Sequence, residues 1–145
     1  MFQHILIPTD GSALSTKAVK NAVSLAKSLN ARVTVLTVIE PYHVISMAPG
    51  QLADTEASYK EHSRAAASRI LSAADDLAQK SGVAYATLQV EHEHVHQAII
   101  DAAKKHGCDL IAMASHGRRG VAALVLGSVT TKVLTHGALP VLVYR

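Results

Sequence analysis

One cysteine, Cys108, stands in the whole chain of 145 residues. That excludes a disulfide framework and a thiolate zinc cage, and it sets the expectation of a reducing, cytoplasmic setting. Tryptophan is absent, and the aromatic share is only 3%. Single-stranded nucleic acid is held by stacking its bases on aromatic rings, so a chain this poor in rings is not expected to take nucleic acid as a partner, although its sequence pI is about 9.1. The basic residues are scattered along helical segments and the formal charge is +3, without the concentrated stripe that a nucleic-acid surface needs. No apolar run approaches the ~20 residues that span a bilayer. The longest clear run, Val121 to Leu126 between Gly120 and Gly127, is expected to cover the sheet end or a subunit interface. The start, Met1 to Pro8, has neither the basic residues nor the long apolar stretch of a signal peptide, so mature structure is expected from residue one.

What the chain has is apolar residues, at 49%, against 17% charged. That supports a sizeable core, and the length suits one domain over residues 1–145 at ~100–200 residues per folding unit. His4 to Thr9 is a short isoleucine-rich run entering a turn at Pro8, Asp10 and Gly11, the mark of a buried strand. From Ala13 to Leu29 the positions Leu14, Ala18, Ala22, Leu25 and Leu29 recur at helical spacing, with Lys17, Lys20, Ser24 and Lys27 opposite. Arg32 to Ile39 is β-branched and reads as a second strand. Residues 41–55, with Pro41, Pro49 and Gly50, read as loop. A long helix then carries Ser63, Ala66, Ile70, Ala74 and Leu77 on one face and closes at Ser81-Gly82. Val83 to Val90 is a third strand, Val95 to His106 a helix stopping at Gly107, Leu110 to Ala114 a fourth strand, Ser128 to Thr135 a helix and Val141 to Tyr144 a fifth strand. Alternation of this kind predicts an α/β fold with a parallel sheet covered on both faces.

In such a sheet, ligands bind outside the carboxyl ends of the strands where the strand order reverses. Two strand ends carry candidate residues: Pro8-Thr9-Asp10-Gly11-Ser12, and Met113-Ala114-Ser115-His116-Gly117-Arg118-Arg119-Gly120 followed by Gly127-Ser128 and a helix. Glycines admit a phosphate close to the backbone, and a helix N-terminus supplies unpaired N–H donors. Asp10 suits ribose hydroxyls or Mg²⁺, and Ser128 suits a phosphate oxygen. The plainer readings stay open beside these: loop glycines at Gly117 and Gly120, an Asx turn at Asp10, an N-cap at Ser128, and Arg118 and Arg119 pointing into water. Neither a phosphate-binding Gly-Lys-Ser/Thr loop nor a G-x-G-x-x-G fingerprint occurs.

These residues resemble the universal stress protein family, whose ATP-binding members carry a glycine, two residues, a glycine, nine residues, then Gly-Ser or Gly-Thr. Gly117 and Gly127-Ser128 keep that spacing, and Ala114 stands at the first glycine, adding a methyl where nucleotide and backbone should lie close. The likeness runs through Ile5 to Ser12, Val38-Ile39-Glu40, Asp109-Leu110-Ile111 and Pro140 to Val143. It implies a single doubly wound domain with a five-stranded parallel sheet of order 3-2-1-4-5, which sets the first and fourth strand ends side by side. It also implies adenine against the Val38 backbone, ribose between Asp10 and Ala114, and phosphates on Gly117, Gly127, Ser128 and Val129, with Arg118 and Thr130 at the same end. Pro8, Thr9 and Met113 would shape the walls. The implied cofactor is ATP with Mg²⁺, the implied role a nucleotide-binding regulatory module in stress response, and the implied assembly a homodimer through the C-terminal strand, Pro140 to Arg145.

No second carboxylate, lysine or histidine is placed by motif as a general base, so at most slow ATP hydrolysis is expected. A slow ATP hydrolase or nucleotidyl-transfer enzyme of the same fold, and a nucleotide-free interaction protein, stay open as alternatives. Cys108, just before a buried strand, is expected to be an inert core residue. The nine histidines include His92, His94 and His96, which in an extended strand would lie on one face ~7 Å apart. They are weak metal candidates, because a turn near His94 would break that alternation and leave a solvated strand-to-helix connection.

Overall fold

Strand and helix alternate from end to end in the computed structural model, which describes residues 1–43, 49–118 and 125–145. The strands are β1 (His4–Pro8), β2 (Arg32–Ile39), β3 (Tyr85–Glu91), β4 (Leu110–Ala114) and β5 (Val141–Tyr144). The helices are α1 (Ala13–Leu29), α2 (Pro49–Ser81), α3 (Val95–Lys105) and α4 (Ser128–His136). The five strands form one sheet in the order β3-β2-β1-β4-β5. Every neighbouring pair is parallel, with Ile7 opposite Val35, Ile5 opposite Leu110 and Ile111 opposite Val141. The order reverses between β1 and β4, as the family resemblance implies.

Successive strand residues point to opposite faces, and the core divides accordingly. Ile5, Ile7, Val33, Val35, Leu110 and Ala112 meet Val19, Val23 and Ala26 of α1 and Ala74 of α2 on one face. Leu6, Leu36, Ile111 and Met113 meet Ile99 and Ala103 of α3 and Val133 of α4 on the other. A strand buried on both faces has no room for polar alternation, which is why β1 and β4 read as unbroken apolar runs. Cys108 lies in the second cluster, and burial pushes its thiol up to about 11, so it is a protonated core residue as expected.

The helix ends follow local chemistry. Ser12 caps α1 by accepting from the Ser15 amide, and Asn30 closes it in the left-handed region at φ 53°. Gly82 and Gly107 stop α2 and α3 at φ +70° and +65°, a conformation that glycine adopts without a Cβ penalty. The buried stripe of α1 is Ser15, Ala18, Val19, Ala22, Val23 and Ala26, turned slightly from the stripe centred on Leu14. One boundary differs more. Residues 41–55 read as loop, yet α2 begins at Pro49. Proline suits the first helical position, where its missing N–H would have no partner in any case and its φ is already helical; read by composition, Pro49-Gly50 signals a turn.

Because β1 is central, shortening one of its fully buried side chains is the direct check on the packing of the sheet. Ile7→Ala, at 0% exposure, is expected to cost about 2–5 kcal/mol. Denaturant unfolding should show a lower midpoint with an unchanged slope; a loss below about 1 kcal/mol would mean that α1 and α2 do not close over this face.

Candidate functional site

The carboxyl ends of β1 and β4 are joined by one side chain. Asp10 Oδ1 accepts from the Ser12 amide at 2.9 Å and from the Ser15 hydroxyl at 2.8 Å, and Oδ2 accepts from the Arg118 amide at 2.8 Å. The first bond is the Asx turn that the sequence left open. The third reaches across to the loop after β4, so the same carboxylate clasps both strand ends. Burial pushes the Asp10 carboxyl up, but the donors from Ser12, Arg118 and Ser15 outweigh it and hold the group below its ordinary value.

Gly117 makes that clasp possible. A Cβ at this position would collide with Asp10 Oδ2, so the glycine serves the carboxylate's approach to the Arg118 amide. Gly127 plays a related part. Its Cβ would meet the Ser115 carbonyl at 3.1 Å and the His116 Cα at 3.1 Å, and its amide donates to the Ser115 carbonyl at 2.7 Å. The missing side chain therefore faces this chain's own backbone, and the Gly127 N–H is engaged by the Ser115 carbonyl. Gly127 rather than Ser128 is the N-cap of α4, and it provides no side-chain cap. This also corrects the capping role considered for Ser128, which is the exposed first residue of the helix. The first helical bond runs from the Thr131 amide to the Gly127 carbonyl, so the amides of Ser128, Val129 and Thr130 precede the helical ladder.

The remaining candidates divide by burial. Thr9 is buried, bonds its hydroxyl to Ser15 at 3.0 Å and accepts at its carbonyl from Thr37 at 2.9 Å. Thr130 is buried and donates its hydroxyl to the Ala114 carbonyl at 3.0 Å, tying α4 to the end of β4. Met113 belongs to the core beneath the site, beside Val133. Pro8 and Ala114 are buried, whereas Val38 is half-buried near the end of β2, opposite Val90. Arg118 is exposed and engaged through its backbone. Arg119, Gly120 and residues 121–124 of the apolar run lie outside the described residues. From the same run, Val125 is 76% exposed and Leu126 half-buried, so Val125 does not cover the chain's own sheet.

Ser15 was missed by motif reading. It is 3% exposed and links Thr9, Ser12 and Asp10. The available signal was a serine in the buried stripe of α1, since a buried hydroxyl requires a partner. Among the described residues, no group of three or more His, Cys, Asp or Glu side chains is arranged to hold a metal ion.

A cavity lies at the opposite end of the sheet, where the strands begin. It measures about 650 Å³, and Gln3, Asn30, Arg32, Gly82, Gly107 and Asp109 are among its lining residues. It is an open recess around the C-terminal ends of α1, α2 and α3, where helices present carbonyl oxygens, whereas the strand carboxyl ends meet uncapped helix amides. For an anionic ligand the clasped end is the better site.

Three comparisons bear on the arrangement. A family model described as the universal stress protein family matches residues 1–145. A universal stress protein of Methanocaldococcus jannaschii is 30% identical over 146 residues, covering 100% of this chain and 83% of that protein. The universal stress protein YxiE of Bacillus subtilis is 32% identical over 152 residues, covering 100% of both. Among solved structures, a universal stress protein in complex with cAMP is similar at a TM-score of 0.73 and 29% identity, with 99% of this chain and 97% of that one covered.

The Asp10 clasp carries a pH signature. Its folded-state value lies below that of the unfolded chain, so its stabilisation is full above the ordinary 3.8 and is lost as pH falls through the folded value. Asp10→Asn would set an amide N–H₂ or a lone oxygen where two directions of acceptance are needed, and should cost about 1–3 kcal/mol near neutral pH. Thermal melts from pH 5 to 3 should fall less steeply in this variant than in the parent. Equal slopes would show that the clasp adds nothing.

Proposed function

From the premise that the chain belongs to the universal stress protein family, we propose that it binds ATP or a related adenine nucleotide across the ends of β1 and β4 and acts as a regulatory module in stress response. The observation that carries this reading is the uncapped N-terminus of α4, with exposed Ser128 at its head, beside the Asp10 clasp. The residues fit the ligand's parts. The amides of Ser128, Val129 and Thr130 and the Ser128 hydroxyl would take phosphate oxygens, where the helix dipole favours negative charge. Asp10, held by donors from Ser12, Ser15 and Arg118, is half-buried at the same end and would turn its open side to a ribose hydroxyl or to Mg²⁺. The half-buried end of β2 at Val38 would face the base. The cAMP complex of the relative at 29% identity supports an adenine nucleotide as the class.

The same geometry argues for holding over turnover. Asp10 is committed to donors from three residues, which hold its carboxyl below the ordinary value, so it is a poor candidate to take a proton from an attacking water. Binding should therefore outrun hydrolysis. We also propose a cytoplasmic homodimer formed through β5, which is an edge strand in the sheet. All of its residues, Val141–Tyr144, are half-buried, and an apolar open edge tends to be covered. Light scattering should give a dimer that deletion of residues 141–145 abolishes; a monomeric parent at micromolar concentration would refute this assembly.

Calorimetric titration of ATP with Mg²⁺ tests the site itself. Ser128→Ala removes one hydroxyl and should weaken binding by about 0.5–1.5 kcal/mol, or more if the bond is to a charged phosphate. Ser128→Pro keeps helical φ at the first position but deletes the amide as well, so its loss should be larger. Ala114→Gly should leave affinity equal or raise it. No heat in the parent would favour a nucleotide-free interaction protein, and rapid phosphate release abolished by a single side-chain substitution would favour an enzyme.

A further inference from the structure

β2 outruns its central neighbour. Its register with β1 stops at Leu36 opposite Pro8, whereas its register with β3 runs on to Ile39 opposite Glu91. The Leu36 carbonyl faces β1 and accepts from the Thr9 amide at 2.8 Å, and the Ile39 carbonyl faces β3 and accepts from the His92 amide at 3.0 Å. Backbone groups of successive strand residues point to opposite neighbours, so the Val38 N–H and carbonyl face the side that β1 has left. A strand edge of this kind presents a donor and an acceptor in line. The base-pairing edge of adenine carries the complementary pair, and proteins read unpaired bases through hydrogen bonds to that edge.

Such an edge reads a base only if its direction is fixed. Beyond Ile39 the β2–β3 register has ended, and what holds the chain there comes from α2. Tyr59 donates its hydroxyl to the Glu40 carbonyl at 2.7 Å. Its ring packs on Tyr42, with centroids 5.2 Å apart and planes tilted by 44°, a separation in the favourable range for aromatic pairs. Between the two contacts stands Pro41, whose ring keeps the preceding residue extended. Glu40 therefore prolongs the line of β2, and its carbonyl is tied to α2 just past Val38.

A half-buried tyrosine hydroxyl needs some partner, and a bond that only anchors α2 would serve. The choice of partner says more. Tyr59 takes the backbone at the point where β2 leaves the sheet, and together with Ile39, Arg64 and Glu91 the two tyrosines line one small cleft there. A shift of the Glu40 carbonyl is a change in the direction of the edge next to it, and misplaced groups lose most of their value in binding and catalysis.

We propose that Tyr59, aligned by Tyr42, is a positioning residue for the base: by holding the Glu40 carbonyl it fixes the strand edge at Val38 against which adenine is read. The inference rests on the nucleotide reading above and adds to it a residue of α2, an element that the strand-end motifs do not include. Tyr59 acts through the backbone of β2 and not on the phosphates, which belong to the other end of the site at α4.

The test is calorimetric titration of ATP with Mg²⁺ into the parent and Tyr59→Phe, together with amide chemical shifts of both isotope-labelled chains at saturating ATP. The variant keeps the ring and loses only the hydroxyl. Its ATP affinity should be at least about threefold weaker, within the range of one lost hydrogen bond. The response of Ser128 and Val129 to ATP should match the parent, while that of Val38 shrinks. Tyr42→Leu should act in the same direction, and Tyr85→Phe, at the start of β3, should leave binding unchanged. Equal affinity in Tyr59→Phe and the parent overturns the inference and leaves the nucleotide reading standing. An equal loss of response at Val38 and Ser128, the mark of a tyrosine that only supports the fold, does the same. A parent in which neither end responds to ATP overturns the nucleotide reading, and the inference with it.

Discussion

Asp10 divides its two oxygens between two parts of the chain, and the shape of the strand-end site depends on that division. Oδ1 organises the entry to α1 through Ser12 and Ser15, while Oδ2 holds the loop after β4 by the Arg118 amide. Each partner explains a further residue. Gly117 must lack a Cβ for Oδ2 to pass, and Ser15 must be a hydroxyl in an otherwise apolar helix stripe. Thr9 then bonds to Ser15, and Thr37 to the Thr9 carbonyl, which carries the network to β2. A half-buried carboxylate is costly unless hydrogen-bonded, and here the donors both meet that cost and fix the loops.

The topology supplies the setting. With β1 and β4 adjacent, the loops that leave them run in opposite directions along the sheet and leave a crevice between them. α4 then begins at the crevice, anchored by the Thr130 hydroxyl on the Ala114 carbonyl and by the Gly127 amide on the Ser115 carbonyl. These anchors are internal, so the amides of the next residues remain for a ligand. The same helix ends at His136, whose ring meets His96 of α3.

Much of this was legible in the residues. The β-branched run Arg32–Ile39 and the apolar runs Leu110–Ala114 and Val141–Tyr144 form strands with the bounds their patterns suggest, because β-branched and apolar side chains fit a pleated, largely covered surface. Strand order is not encoded in periodicity, and it followed from the motif resemblance. The start of α2 was hidden because Pro49 is a turn former everywhere except the first helical position. The roles of Gly117 and Gly127 were legible as close approaches, but what approaches them is Asp10 and the Ser115–His116 backbone, which only the folded chain reveals. His136 was invisible beside His96 for a similar reason, since helix packing and not sequence spacing brings the rings together.

The central claim is that an anionic nucleotide prefers the clasped carboxyl ends of the strands over the recess at their amino ends. Backbone amide chemical shifts of the isotope-labelled chain, followed as ATP with Mg²⁺ is added, test it residue by residue. The account predicts that the largest changes fall on Gly117, Ser128, Val129 and Thr130, extend to Val38, and leave Asn30, Gly82 and Gly107 unmoved. Changes concentrated at Asn30, Gly82 and Gly107, with Ser128 and Val129 silent, would contradict it.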